Sequence, residues 1–176
     1  MIMSDKTNGL DVMLYEMQAE FNNALKIKDY RAMSEIITEA HRIKSDNVGG
    51  FLSEMSNRFY FTELSQGNEI SIPPEVIKPL EITPDTELLV YMDTTHKHIT
   101  IDPDNCITLE QAKCISSHIK LANRSKISKN GELLIHDAMI KSLGVKTGDI
   151  IIITADEDSF EIRKYSDDFS WKIGRV

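Results

Sequence analysis

Shifted by 63 residues, the chain meets its own pattern again without a gap, and this internal repeat limits the possible folds more than any other feature. Ser65, Glu69, Ile72, Ile77, Lys78, Leu80, Asp93 and Ile99 meet identical residues at Ser128, Glu132, Ile135, Ile140, Lys141, Leu143, Asp156 and Ile162. Leu64, Ile70, Val76, Ile82, Leu88, Leu89 and Val90 meet Ile127, Leu133, Met139, Val145, Ile151, Ile152 and Ile153, so the apolar pattern agrees over 64–102 and 127–165. A fold for this chain has to place one supersecondary unit twice.

The unit reads as ββαββ. In the first copy Phe59-Tyr60-Phe61-Thr62 and Ile70-Ser71-Ile72 have strand preferences, and Pro73-Pro74-Glu75 opens a short helix. Pro79 keeps that helix short. Leu88-Leu89-Val90-Tyr91 and Ile99-Thr100-Ile101 follow as strands around the turn Asp93-Thr94-Thr95-His96. Between the copies Thr108-Leu109-Glu110-Gln111 is a capping box, which predicts a helix through about Leu121 with Leu109, Ala112, Ile115 and Ile119 on one face. After the second copy, Phe169 and Trp171 are expected to clip back onto the core.

Ahead of the repeat the period changes. Leu10, Met13, Leu14, Met17, Phe21, Ala24 and Leu25 form a helical stripe that predicts a helix over 9–27. Asp29 can cap a second helix, with Tyr30, Met33, Ile36, Ile37, Ala40 and Ile43 as its stripe and Asn47-Val48-Gly49-Gly50 as its stop. A helical pair that short does not bury both stripes alone. Met13, Met17, Phe21, Met33 and Ile37 are therefore candidate contacts for a homodimer or a protein partner through 9–46, the alternative being that these helices cover the rest of the chain in cis.

Twenty basic against 28 acidic residues give a net charge of −8, and residues 60–104 carry 2 basic and 9 acidic ones, which argues against a uniformly basic nucleic-acid binder. No run of about 18 apolar residues occurs and Met1–Lys6 lacks the order of a signal peptide, so the expectation is a soluble, cytoplasmic chain. Cys106 and Cys114 are too few for a disulfide framework. Cys114 and His118 at i,i+4 suggest metal ligands, but no further ligands complete a shell, and His96-Lys97-His98 reads as an exposed hairpin tip. No phosphate loop, nucleophile elbow or spaced Ser/His/Asp set is present, so neither an enzyme, a metal site nor a cofactor is expected.

The run Ile127-Ser128-Lys129-Asn130-Gly131-Glu132-Leu133-Leu134-Ile135, the helix ending Ser142-Leu143-Gly144 and the turn Gly148-Asp149 resemble the AbrB/MazE/SpoVT swapped-hairpin family, and Ile72-Pro73 supplies a further piece of its pattern in the first copy. Two copies joined by a helix are similar to the MraZ arrangement and span roughly 60–165. The expected chain is α+β: a helical hairpin over 1–58, which has no counterpart in that family, then a first repeat over 59–104, a helical connector over 105–123, and a second repeat with its clip over 124–176. The two ββαββ repeats would exchange hairpins into one intramolecular β-barrel. A single unit of about 40 residues buries too little surface to stand alone, and interlocking closes exposed strand edges.

The resemblance also implies a DNA-binding transcription regulator or antitoxin that reads DNA with basic residues on paired turns. Arg124, Lys126, Lys129, Lys141 and Lys146 are the candidates for phosphate contacts. The chain departs from the family at those turns. Relatives commonly place an Asp and, four residues on, an Arg; this chain has Ser65 and Glu69, then Ser128 and Glu132. The second expectation is therefore a protein-interaction module that keeps the barrel and has lost DNA binding, and a third role for the glutamates is to tie down the turns.

Overall fold

The computed structural model describes residues 2–47, 58–103, 108–114 and 117–166. Two compact units divide the chain, one of Met1–Tyr60 with Ser166–Val176 and one of Phe61–Tyr165. The expected clip at Phe169 and Trp171, the glycines after Asn47 and Cys106 lie outside the described residues.

In the first unit, α1 (Ile2–Lys26) and α2 (Tyr30–Asn47) form the expected helical pair, α1 starting well before residue 9. Asp29 caps α2, its carboxylate accepting from the Ala32 amide at 3.1 Å. Phe21, Ala24, Met33, Ile37 and Ala40 are buried, as is Phe59, whose carbonyl accepts from the Ser34 hydroxyl and whose ring meets His41 edge-on at 5.3 Å.

The second unit carries the repeat. The first copy contributes β1 (Arg58–Glu63), β2 (Glu69–Ser71), α3 (Pro74–Ile77), β3 (Leu88–Asp93) and β4 (His98–Asp102). After α4 (Leu109–Cys114), the second contributes β5 (Ile119–Ser125), β6 (Glu132–Leu134), α5 (Asp137–Leu143), β7 (Ile150–Ala155) and β8 (Phe160–Lys164). The capping box forms as expected: the Thr108 amide donates to the Gln111 side chain at 2.8 Å, and the Gln111 amide donates to the Thr108 hydroxyl at 3.1 Å. The helix it opens is short. Ile119 and Leu121 lie in β5 rather than in a connector helix, because β5 is the counterpart of β1 and its backbone pairs with β3 over Leu88–Asp93.

Six strands make an open sheet in the order β1-β7-β8-β4-β3-β5, and β2 pairs with β6 in a separate ribbon. Each copy keeps its own hairpin, β3–β4 or β7–β8, and lends its first strand to the hairpin of the other. Closure into a barrel is not found: among the described residues β1 and β5 stand at opposite edges of the sheet. Leu88, Leu89, Val90, Ile151, Ile152 and Ile153 are all buried at the 63-residue spacing, yet the hairpins differ in register. Met92 faces Ile99 in the first, whereas Ala155 faces Phe160 and Ile162 faces Ile153 in the second. The slip is two residues, an even number, so both copies keep the same face toward the core.

The ribbon shows how closely the copies mirror each other. The Ile72 amide donates to the Gly131 carbonyl at 2.8 Å, and the Ile135 amide to the Asn68 carbonyl at 2.9 Å. Gly131 has φ 77°, and a Cβ there would stand 3.4 Å from the Ile72 carbonyl oxygen, so backbone conformation and close approach both favour glycine. Its counterpart Asn68, at φ 63°, is among the side chains that tolerate this region best.

Candidate functional site

The face of interest is the β2–β6 ribbon with its two preceding turns. Ile70 and Leu133 are opposite each other and fully buried, so the alternate residues Glu69, Ser71, Glu132 and Leu134 share the outer face. The turns are closed by serines. The Ser65 amide and hydroxyl donate to the Glu69 carbonyl at 3.0 and 2.9 Å. The Ser128 amide donates to the Glu132 carbonyl at 2.9 Å, while the Ser128 hydroxyl accepts from the Glu132 amide at 3.1 Å.

The glutamate backbones thus close the turns, and the carboxylates are not the ties. Instead they meet each other across the ribbon. A hydrogen bond that the protonated Glu69 carboxyl donates to Glu132, together with the negative charge of Glu132, raises the Glu69 carboxyl above its ordinary value. Two neighbouring carboxyl groups thus occupy the outer face of the ribbon, where the resemblance expects cations.

The five candidate cations lie on β5 and the turn after it, on α5 and on the segment after α5. Arg124 is half-buried in β5, its Cα opposite Leu89 of β3. Lys126 and Lys129 are exposed on either side of Ile127, and Lys146 is exposed after α5; these three lysines make no ion pair among the described residues. Lys141 is paired with Asp137 at 3.1 Å along α5, both side chains largely exposed, so the pair adds little stability and partly neutralises the cation. His136 caps α5 by accepting from the Ala138 amide at 3.2 Å, and Gly144 ends it at φ 75°.

On the N-terminal helices the five candidate contact residues separate. Phe21, Met33 and Ile37 are buried within the chain and are core, not accessible contacts, because the C-terminal half of the α1 stripe and the α2 stripe are covered around them. Met17 is half-buried and Met13 is exposed, alongside Val12 and Tyr15.

A groove of about 630 Å³ is lined by Pro79, Leu80, Glu81, Asp102, Pro103, Glu157 and Asp158. Four carboxylates and no cation line it, which suits a positively charged ligand. Cys114 is a free, exposed thiol at the end of α4. His118 lies beyond that helix, so the i,i+4 relation to Cys114 expected from the sequence does not exist.

His118 instead joins the β3–β4 turn. Its ring stands 5.4 Å from that of His96, and His98 stands 6.3 Å from His96. Asp93 organises the turn: its carboxylate accepts from the His96 amide at 2.9 Å and the Thr95 amide at 3.0 Å, and contacts His96 Nδ1 at 2.8 Å. The His96 amide is the main cause that holds the Asp93 carboxyl at about 2, with the His96 ring and the Thr95 amide acting in the same direction against desolvation. Sequence spacing had given two imidazoles there. The third is brought by pairing of β5 with β3, a long-range contact with no local signal.

No helix among the described residues is long and apolar enough to cross a membrane. No family model matches the chain, and no curated protein matches it. Among solved structures, the chain is similar to the solution structure of PHS018 from Pyrococcus horikoshii, at 14% identity over 62% of this chain and 95% of that one, with a TM-score of 0.31.

Proposed function

We propose that this chain is a non-enzymatic protein-interaction module built on an AbrB-like swapped-hairpin core, and that its ribbon face does not read duplex DNA. The Glu69–Glu132 pair carries the reading. Affinity for DNA rests largely on neutralising phosphate charge, and a carboxylate pair at the centre of the face opposes it. The exchange of first strands between the copies supports the swapped-hairpin assignment. The acid-lined groove favours a cationic protein segment as the partner, and exposed Val12, Met13 and Tyr15 on α1 offer a second contact for a partner or another copy.

The second reading is a weakened DNA-binding regulator that uses Lys126, Lys129 and Lys146 for phosphate, favoured by their exposure and lack of ion pairs among the described residues. Gel-shift titration on mixed-sequence duplex at low and then moderate salt separates the two. The expected result is no shift by the wild type even at low salt, and a salt-sensitive shift by the double variant Glu69→Arg, Glu132→Arg. A wild-type shift that weakens steeply with salt and disappears in Lys126→Glu, Lys129→Glu overturns the first reading in favour of the second.

A further inference from the structure

We propose that His96, His98 and His118 bind one divalent transition-metal ion of the zinc class at the β3–β4 turn. His96 lies in the β3–β4 turn, His98 opens β4 and His118 immediately precedes β5, and the pairing of β5 with β3, Asp93 being opposite Ile119, brings the two sequence-distant segments to the same end of the sheet. Zinc–nitrogen bonds of about 2.0–2.1 Å put a ring centroid roughly 3.2 Å from the ion, so two imidazoles at a tetrahedral angle stand about 5 Å apart. His96 and His118 are 5.4 Å apart. His98, at 6.3 Å from His96, needs to approach by about 1 Å.

In the conformation described, no three His, Cys, Asp or Glu groups among the described residues are placed to hold a metal ion. The shell would form on binding, with the His96 side chain, 63% exposed, turning between its two neighbours. Two features of a metal-binding histidine are already in place. Asp93 holds His96 through Nδ1, which directs Nε2 away from the carboxylate and favours it as the ligating atom. Thr95 Oγ1 contacts His118 Nδ1 at 2.9 Å, and the His118 carbonyl accepts from the Thr94 amide at 3.0 Å and the Thr94 hydroxyl at 3.2 Å. The turn and the start of β5 are thus already fixed to each other. On the far side of His98, Nε2 lies 3.9 Å from a Glu161 carboxylate oxygen, which supplies nearby negative charge to offset that of the ion.

An all-imidazole set suits zinc, nickel or copper rather than magnesium or calcium. Three protein ligands leave a fourth position for water or a group from a bound partner. The ion would join the hairpin of the first copy to the lent strand of the second and stabilise the folded chain by mass action. Asp93 acts as a positioning residue.

The test is calorimetric titration of the full chain with zinc ion at pH 7.5, repeated with cobalt ion while its visible absorption is recorded. Expected are one ion per chain, a tetrahedral cobalt spectrum, loss of binding in His96→Gln and in His118→Ala, and about 10- to 100-fold weaker binding in Asp93→Asn. His136→Asn, remote in sequence from the cluster, should bind as the wild type does. Circular dichroism of each variant checks the fold, and His96→Gln, at an exposed turn, decides the matter where His118→Ala does not fold. Absence of saturable binding, unchanged affinity in His96→Gln, or half an ion per chain overturns the proposal.

Discussion

At the scale of single residues, the pair Glu69 and Glu132 shows what a sequence can and cannot say about a site. The lack of a cation at this turn was legible, because both copies place Glu four residues after Ser. That the two carboxyl groups would lie against each other was not, since it depends on the pairing of β2 with β6. The pairing makes a testable statement about stability. Glu69 has a folded-state carboxyl raised above the unfolded value of about 4.3, so its favourable contribution is present below that value and is lost as pH rises through the raised one. At neutral pH the pair repels. Glu69→Gln should therefore raise the thermal midpoint at pH 7 and leave it nearly unchanged at pH 4, where the wild type carries the proton itself. Equal shifts at both pH values would mean that repulsion between the carboxylates is not what the substitution relieves.

At the scale of elements, local chemistry was read well where it was self-contained. The Asp29 cap, the Thr108–Gln111 box and the Pro74 helix start all involve groups within a few residues of each other, and each is present. The end of α4 was misread for the opposite reason: Ile115 and Ile119 continue a helical stripe, yet Ile119–Ser125 is a strand. Backbone pairing with β3 over six registered positions outweighs a local helix preference that is weak for isoleucine. The same comparison ranks two features of α2. Asp29→Ala removes a side-chain bond to an otherwise unpaired helix amide and should cost about 1 kcal/mol, read as a lower urea midpoint at unchanged slope. Glu35→Ala removes an exposed ion pair to Arg31 at 3.4 Å and should cost no more than about 0.5 kcal/mol. A reversed order would mean that Asp29 is not the cap that holds α2.

At the scale of the whole second unit, the repeat was legible because burial writes most of it: the apolar residues that recur at 63 are mostly buried, and polar turn residues such as Ser65 and Ser128 add to the match. The interlocking is a stronger statement, and it follows from counting partners. Of the six strand pairings among the described residues, only β3–β4 and β7–β8 lie within a copy; β1–β7, β8–β4, β3–β5 and β2–β6 all join one copy to the other. Neither copy then owns a sheet of more than two strands, and an isolated hairpin is at best marginal in water. Pieces spanning 58–103 and 108–166, made separately, should each lack a cooperative thermal transition. Mixed in equal amounts, they should associate one to one and regain a strand-type circular dichroism spectrum with a single transition, whose midpoint rises with concentration because joining two chains adds an association term that the intact chain avoids. Cooperative unfolding by either piece alone would show that a copy folds on its own partners, and the pairings between copies would then be docking rather than the substance of the fold.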